Sequence, residues 1–378
     1  MNLAIEASNI VDGGGLNHLR ELLNQPEIAT KEISKIVIWS SENTLKLIPD
    51  STIVIKKTNP FLNSGKLKRF IWQLLYSKDE FKENAIDLVF VPGGIFLGSY
   101  SVPVISMSQN MLLYEWREMA RYGFSSGFLR LFFLFFLQSY SFIRSKSILF
   151  LTEYAKNTIT KKLRLNPDKS VVIPHGINDR FSESAHKPKT LAKKDSFDLL
   201  YVSFIGMYKH QWKVVEAISS LRDMGYDLKL TLVGNVVDTM AGNLLKASLE
   251  KYDPKREFVN HKLNIGYEEI HKEYKDADLF IYASSCENMP MILMEAMRSS
   301  LPILSSKMGP MPEILGEAGE YFDPTNATDL VKKIDLVLKS KERLGEMAEI
   351  AYQKSLAFTW KNTQKLTFSY FMKVYREF

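Results

Sequence analysis

Cysteine occurs once in 378 residues, at Cys286, which excludes an intrachain disulfide and any thiolate cluster for zinc or an iron–sulfur centre. Such sparing use fits a reducing, cytoplasmic setting. Long apolar runs are also missing. The longest candidate, residues 128–143 (FLRLFFLFFLQSYSFI), falls short of the ~20 apolar residues a membrane span requires and is interrupted by Arg130 and Gln138. The start, MNLAIEASNI, has no basic leader ahead of an apolar stretch, so it reads as a first strand and secretion is not expected. Neither the dinucleotide fingerprint G-x-G-x-x-G nor a P-loop ending in G-K-[ST] accompanies the glycines at 13–15, which leaves a nicotinamide or nucleoside triphosphate cofactor without support. His18, His186, His261 and His271 are scattered without ligand spacing, and no metal is assigned. A strong charge of one sign is absent too: 49 basic against 43 acidic residues leave +6, with a pI near 9.0. That surplus admits phosphorylated metabolites or anionic lipid as partners and does not single out nucleic acid.

What remains is an ordinary globular composition, 46% hydrophobic and 24% charged, in a chain long enough for two domains. Short β-branched runs alternate with longer amphipathic stretches, the pattern of parallel α/β units. Strands are expected over 3–7, 36–39, 52–55, 88–91, 104–107, 147–151 and 171–174, then over 199–204, 229–233, 258–259, 279–283, 302–305 and 319–322. Between the two series, SESAHKPKTLAKKDSF (182–197) has the polar, lysine-rich composition of a linker. The fold class expected is α/β, two Rossmann-like doubly wound domains facing across a cleft, 1–181 and 198–359. Ligands of such sheets sit beyond the carboxyl ends of the strands. Segment 128–143 carries two readings. Its flanking Arg117, Arg121, Arg144 and Lys146 would let a helix lie on an anionic membrane surface, whereas its density of Leu and Phe suits a helix packed beneath a sheet, the role given to most of its residues.

Two stretches carry candidate chemistry. Gly13, Gly14 and Gly15 follow the first strand and precede the helical stretch LNHLRELL, a place where backbone N–H groups can approach a phosphate or simply make a tight turn. Residues 281–297, IYASSCENMPMILMEAM, read as a strand, a small-residue turn, Glu287 in a loop, Pro290 at the start of a helix, and Glu295 inside it. Free N–H groups around Asn288, Met289, Pro290 and Met291 would form an anion site at the helix end. Two carboxylates beside a site ready for a diphosphate suit the hydroxyls of a nucleotide-sugar.

The segment E-N-M-P-M-I-L-M-E-A-M resembles the E-x7-E signature of retaining glycosyltransferase family 4, whose fold is GT-B. Other segments follow in that family's order: GGG at 13–15, IPHGI at 173–177, KHQWKVVEA at 209–217, NIGY at 264–267 with Ile265, and GPMPEIL at 309–315. The resemblance implies that Glu287 contacts hydroxyls of the transferred sugar and Glu295 those of the ribose. Lys209 would neutralise the diphosphate and stabilise the leaving group. Gly14 and Gly15 would crowd the β-phosphate, and Ser284 would stand behind the loop. It also implies that the C-terminal helix, near 360–378, crosses back to the first domain. No cofactor or divalent metal is implied; the donor is a nucleoside diphosphate sugar, UDP favoured over GDP.

Two departures stand out. Phe204 occupies the place of an arginine five positions before the lysine, with Lys213 or His210 as substitutes. Gln109 and Asn110, in SMSQNMLLYE, occupy the acceptor side where a histidine often stands; His175 either faces the acceptor or satisfies a turn. Asp276 and Asp278 form D-A-D, assigned to a helix end and strand start rather than to a metal site. The function expected is transfer of a hexose or N-acetylhexosamine to a glycan or polyprenyl-diphosphate-linked acceptor in bacterial surface polysaccharide synthesis, in the cytoplasm or peripheral on the inner face of the plasma membrane. A nucleotide-sugar 2-epimerase and a non-catalytic partner of the same fold are the alternatives.

Overall fold

A computed structural model describes residues 1–11, 13–24, 32–183, 196–266 and 268–378. The linker expected at 182–197 lies largely outside the described residues; its last two, Ser196 and Phe197, already belong to a strand. By contacts the chain divides into two compact units, 1–116 with 124–176 and 359–378, and 117–123 with 177–358.

The first unit holds a parallel sheet of β1 (Asn2–Glu6), β2 (Lys35–Trp39), β3 (Val54–Lys57), β4 (Leu88–Val91), β5 (Val104–Met107), β6 (Ser147–Phe150) and β7 (Ser170–Val172). Their order is β3-β2-β1-β4-β5-β6-β7. The second holds β8 (Ser196–Val202), β9 (Asp227–Val233), β10 (Val259–Lys262), β11 (Leu279–Tyr282), β12 (Ile303–Ser306) and β13 (Gly319–Phe322), ordered β10-β9-β8-β11-β12-β13. All pairings are parallel, as in Ile5 beside Phe90 and Leu199 beside Leu279. Runs such as LVFV (β4) and LFIY (β11) are buried throughout, because helices cover both faces of a parallel sheet and leave no solvent side to alternate toward. These are two Rossmann-like units, and in each the strand order reverses beside the first strand, between β1 and β4 and between β8 and β11.

In the first unit, Trp39 and Trp72 meet Phe81 edge to face, and Glu80 accepts both indole N–H groups at 2.6 and 2.9 Å. That clamp satisfies the polar edge of two rings whose bodies fill the core. The helix Trp360–Arg376 belongs to this unit: Gln364 donates to the Glu21 carbonyl at 2.6 Å, Thr363 to the Pro174 carbonyl at 2.8 Å, and Phe371 meets Phe90. The glycine of IPHGI serves this docking, since a Cβ on Gly176 would stand 2.1 Å from the Trp360 nitrogen.

The helix Ser126–Arg144 corrects an expectation. Only 28% of its apolar window is buried, and the face toward the protein consists of Leu131, Gln138, Ser139, Ser141 and Phe142. Leu129, Phe133 and Phe136 are exposed. Of its phenylalanines, Phe142 packs inward, while Phe132, Phe133 and Phe136 are exposed instead of lying beneath the sheet. Of the flanking cations, Arg121 is held by the buried Glu118 at 2.7 Å, and residues 117–123 group with the second unit.

Gly176→Ala forces a methyl against main chain that cannot swing aside, and it should lower the free energy of urea unfolding by about 1–3 kcal/mol. Gly14→Ala, where a Cβ meets nothing within 4 Å, serves as the neutral comparison in the same denaturation series.

Candidate active site

Lys209, Glu287 and Glu295 all lie in the second unit, beyond the carboxyl ends of β8 and β11, the two strands that flank its switch point. Lys209 follows β8 and is 3% exposed. Its ammonium is ion-paired with Glu287 Oε1 and lies 3.3 Å from the Tyr282 hydroxyl. The rings of Phe204, Tyr208 and Tyr282 stand 5.1, 5.2 and 5.4 Å from it, within reach of cation–π attraction. Glu287 Oε1 also accepts from the Tyr282 hydroxyl at 2.7 Å and from the Ser284 hydroxyl at 2.5 Å. Burial first, and then the charge of Glu287, push Tyr201, Tyr208 and Tyr282 well above the usual phenol range, so all three stay protonated and neutral.

The two loops are stitched together by main chain. Ser285 N donates to the Tyr208 carbonyl at 2.8 Å, and Tyr201 donates to the Lys209 carbonyl at 2.5 Å. His210 takes a left-handed conformation (φ 51°) ahead of the helix Gln211–Asp223 and meets the Ser285 hydroxyl at 2.9 Å. Burial, aided by Arg121, pushes its imidazole down to about 3. His210 is thus neutral near pH 7 and does not replace the missing arginine as a cation. Lys213 is drawn to Glu216 at 2.7 Å, on the surface of the same helix.

Asn288, Met289 and Pro290 are buried at the entry to the helix Met291–Arg298, with Pro290 as its N-cap residue. Pro290 makes no side-chain cap, which leaves the first-turn N–H groups without one. Gly309 of GPMPEIL lies against this loop, its Cβ direction meeting the Glu287 nitrogen at 3.8 Å. Glu295 projects from the helix into a cavity of about 270 Å³ lined by Val202, Phe204, Val233, Gly234, Ile265 and Ile292, among others. Its carboxylate accepts from the Tyr274 hydroxyl at 2.9 Å. Burial raises it to about 7, although the Tyr274 bond and the charge of Arg180 act the other way. Ser203, in the cavity wall, has a buried hydroxyl with no hydrogen-bond partner among the described residues. Phe204 joins the two halves of the site, since it touches Lys209 on one side and lines the cavity on the other. Of NIGY, Asn264 (φ 57°) pairs with Asn235, and Tyr267 lies outside the described residues.

The remaining candidates, Asp278 apart, lie in the first unit. Gly13–Gly15 do not form a loop before a helix; they are its first three residues, in Gly13–Leu22. Gly14 has open space above it, and Gly15 abuts Gln109, whose Oε1 would stand 3.1 Å from an added Cβ. Gln109 and Gly15 are therefore brought together beyond β5 and β1. Asn110 is exposed and caps a local turn by accepting from Leu112 N at 3.0 Å. His175 is turned inward, its Nδ1 3.0 Å from Nδ1 of His18 and its ring against Trp360, so it holds the turn rather than facing solvent. Asp278 accepts from Asp198 N at 2.9 Å immediately before β11, the strand-start role expected of it. Tyr208, Tyr282 and Tyr274 were not legible as site residues. An aromatic at the carboxyl end of a buried strand, as Tyr282 is, was the available signal; Tyr274 offers none, because its partner is met only through the tertiary fold.

Residues 182–354 match the family model described as Glycosyl transferases group 1. The chain is 28% identical over 179 residues to the lipopolysaccharide 1,2-N-acetylglucosaminetransferase of Salmonella typhimurium, covering 45% of this chain and 46% of that protein. It spans less than two thirds of the length of the curated relatives it matches first. Among solved structures, the sucrose-phosphate synthase of Thermosynechococcus elongatus superposes with a TM-score of 0.77 at 14% identity, covering 100% of both chains. Anabaena Alr3699/HepE in complex with UDP and glucose gives 0.68 at 16% identity, covering 97% of this chain and 98% of that one. The fold is that of the GT-B glycosyltransferases.

Because the buried Glu295 takes up its proton near pH 7 in the folded chain and near 4.5 when unfolded, the folded state binds more protons between those values. Stability gained from this group is present below about 4.5 and is lost as pH rises through 7, by about 3 kcal/mol. Glu295→Gln should flatten that part of the pH profile of urea unfolding; an unchanged slope refutes the assignment.

Proposed function

We propose that the protein is a retaining, metal-independent group 1 glycosyltransferase of the family 4 type, acting in the cytoplasm. It transfers a hexose or N-acetylhexosamine from a nucleoside diphosphate sugar to a glycan or polyprenyl-diphosphate-linked acceptor of bacterial surface polysaccharide. The observation that carries this reading is the buried Lys209–Glu287 contact beside the N-terminus of Met291–Arg298, with Glu295 in the adjoining cavity. The match of 182–354, the relative named for lipopolysaccharide synthesis and the UDP complex of a like-folded protein support the donor class, with UDP favoured.

In this reading the donor's diphosphate takes its place at the helix N-terminus, where the helix dipole favours negative charge. Lys209 turns from Glu287 alone to a position shared with the diphosphate. Glu287, relieved of part of its partner, then accepts hydrogen bonds from sugar hydroxyls, and Glu295 accepts from the ribose. As the bond between the anomeric carbon and the diphosphate oxygen breaks, charge grows on that oxygen next to Lys209, which lowers the barrier. Gln109 has no proton-accepting side chain of suitable basicity, so the departing phosphate oxygen takes the acceptor hydroxyl's proton on the same face of the sugar.

Lys209→Ala and Glu287→Gln should each lower turnover by about 10²–10³-fold, measured as nucleotide release that depends on acceptor. A panel of UDP- and GDP-sugars at 100 times the dissociation constant should raise stability by about 2.7 kcal/mol for the true donor. Full transfer by either variant overturns the roles, and a rearranged sugar nucleotide formed without acceptor favours the epimerase.

A further inference from the structure

We propose that the outward face of the helix Ser126–Arg144 is a docking surface for an anionic lipid bilayer, on which the first unit rests with this helix lying flat. The inference concerns the first unit and does not rest on the chemistry assigned to the second. Leu129, Phe132, Phe133, Phe136, Tyr140 and Ile143 are all exposed. At about 100° per residue they fall on one stripe roughly 100° wide, opposite the buried Leu131, Gln138 and Phe142. A helix of a protein kept in water turns its small and polar residues outward; this one turns them in. The rings form a continuous surface rather than isolated side chains, with Phe132 meeting Phe128, Phe136 and Trp116 at 6.1, 4.9 and 6.2 Å between centroids. Phe124, ahead of the helix, is fully exposed.

The helix is long enough to cross a bilayer, about 28 Å, yet it is tied along its inner face and cannot leave the unit. Ser141 Oγ accepts from Phe96 N at 3.0 Å and donates to the Phe96 carbonyl at 2.9 Å, and Ser145 donates to Ser106 at 2.7 Å. An apolar stripe fixed to a folded unit can only lie in the interface.

Charge chooses the occupant. No acidic residue occurs from 119 to 152, whereas Arg130, Arg144 and Lys146 are exposed at the edge of the stripe. Arg144 lies 5.0 Å over the Tyr140 ring, which places a guanidinium beside the apolar face. A second copy of the chain meeting this face across a two-fold axis would bring the same arginines together with no carboxylate between them. A phosphate-bearing bilayer meets both the stripe and the cations.

The full chain is to be mixed with vesicles of phosphatidylcholine alone or with phosphatidylglycerol and separated by flotation, beside Phe133→Ser/Phe136→Ser and Arg130→Ser/Lys146→Ser. The wild type should float with the anionic vesicles, weaken with added salt, and bind phosphatidylcholine poorly. The double serine change at the phenylalanines should reduce partition by about tenfold or more, and the charge variant severalfold and only on anionic vesicles. Both pairs are exposed, and an unchanged melting midpoint separates lost docking from lost folding. Equal flotation of the wild type and both variants overturns the proposal. So does a wild type that ignores vesicles but sediments as a dimer dissolved by Phe133→Ser/Phe136→Ser, which assigns the face to a second copy.

Discussion

A lysine ammonium buried to 3% exposure is tolerable only beside a carboxylate, and the second unit is organised around meeting that demand with Glu287. Desolvating either charge alone costs several kcal/mol, and breaking such a pair by removing one member typically costs about 3–5 kcal/mol. The pair therefore fixes the positions of the two loops that bear it. Everything near it follows: neutral phenols of Tyr282 and Tyr208 that donate or offer a ring face without adding charge, the Ser285–Tyr208 main-chain bond, and the left-handed turn at His210. The loops come together because β8 and β11 are neighbours at the point where strand order reverses.

The alternation of buried runs placed every strand of both sheets, since parallel strands covered on both faces are the most apolar segments a soluble chain carries. Their ends were less legible: β8 begins at Ser196, inside the stretch whose composition reads as linker, and β9 begins at Asp227 rather than Lys229, because ladder bonds continue after the apolar pattern stops. The loop carrying Glu287 and the helix carrying Glu295 were readable from the strand, small-residue turn and proline order. What the sequence could not carry is the pairing of Glu287 with Lys209, 78 positions away, or of His175 with His18, 157 away. The long helix failed for a different reason. Composition alone cannot say which face turns outward, and here the apolar face does.

The surplus of +6 is spread over distinct tasks. Lys209 is neutralised by Glu287 and Arg121 by Glu118, so the interior of the second unit adds little net charge. Arg298 is spent on structure: its guanidinium donates to the Ser355 and Phe358 carbonyls at 3.0 and 3.2 Å and closes the end of the helix Lys341–Ser355. Of the cations on the first unit's surface, Arg130, Arg144 and Lys146 stand at an apolar helix with no acidic residue from 119 to 152, and the proposed lipid surface rests on these three rather than on the overall pI.

Phe204 sharpens how the buried pair can work. An arginine at that place would add a second fixed cation and leave Lys209 in competition with it for Glu287. A phenyl ring instead offers only its negative face, 5.1 Å from the ammonium, and excludes water from one side. With His210 neutral and Lys213 drawn to Glu216, Lys209 is the single buried cation among the residues of this site. Its attraction to Glu287 is strong because the surroundings are dry, and under the proposed function a diphosphate would be attracted for the same reason. Under that proposal, exchanging one anion for the other would cost little reorganisation, because the ammonium would keep its aromatic walls while its partner changed. Glu287 would keep two of its three hydrogen-bond donors, Tyr282 and Ser284, and so would remain a satisfied carboxylate in the proposed turn toward sugar hydroxyls.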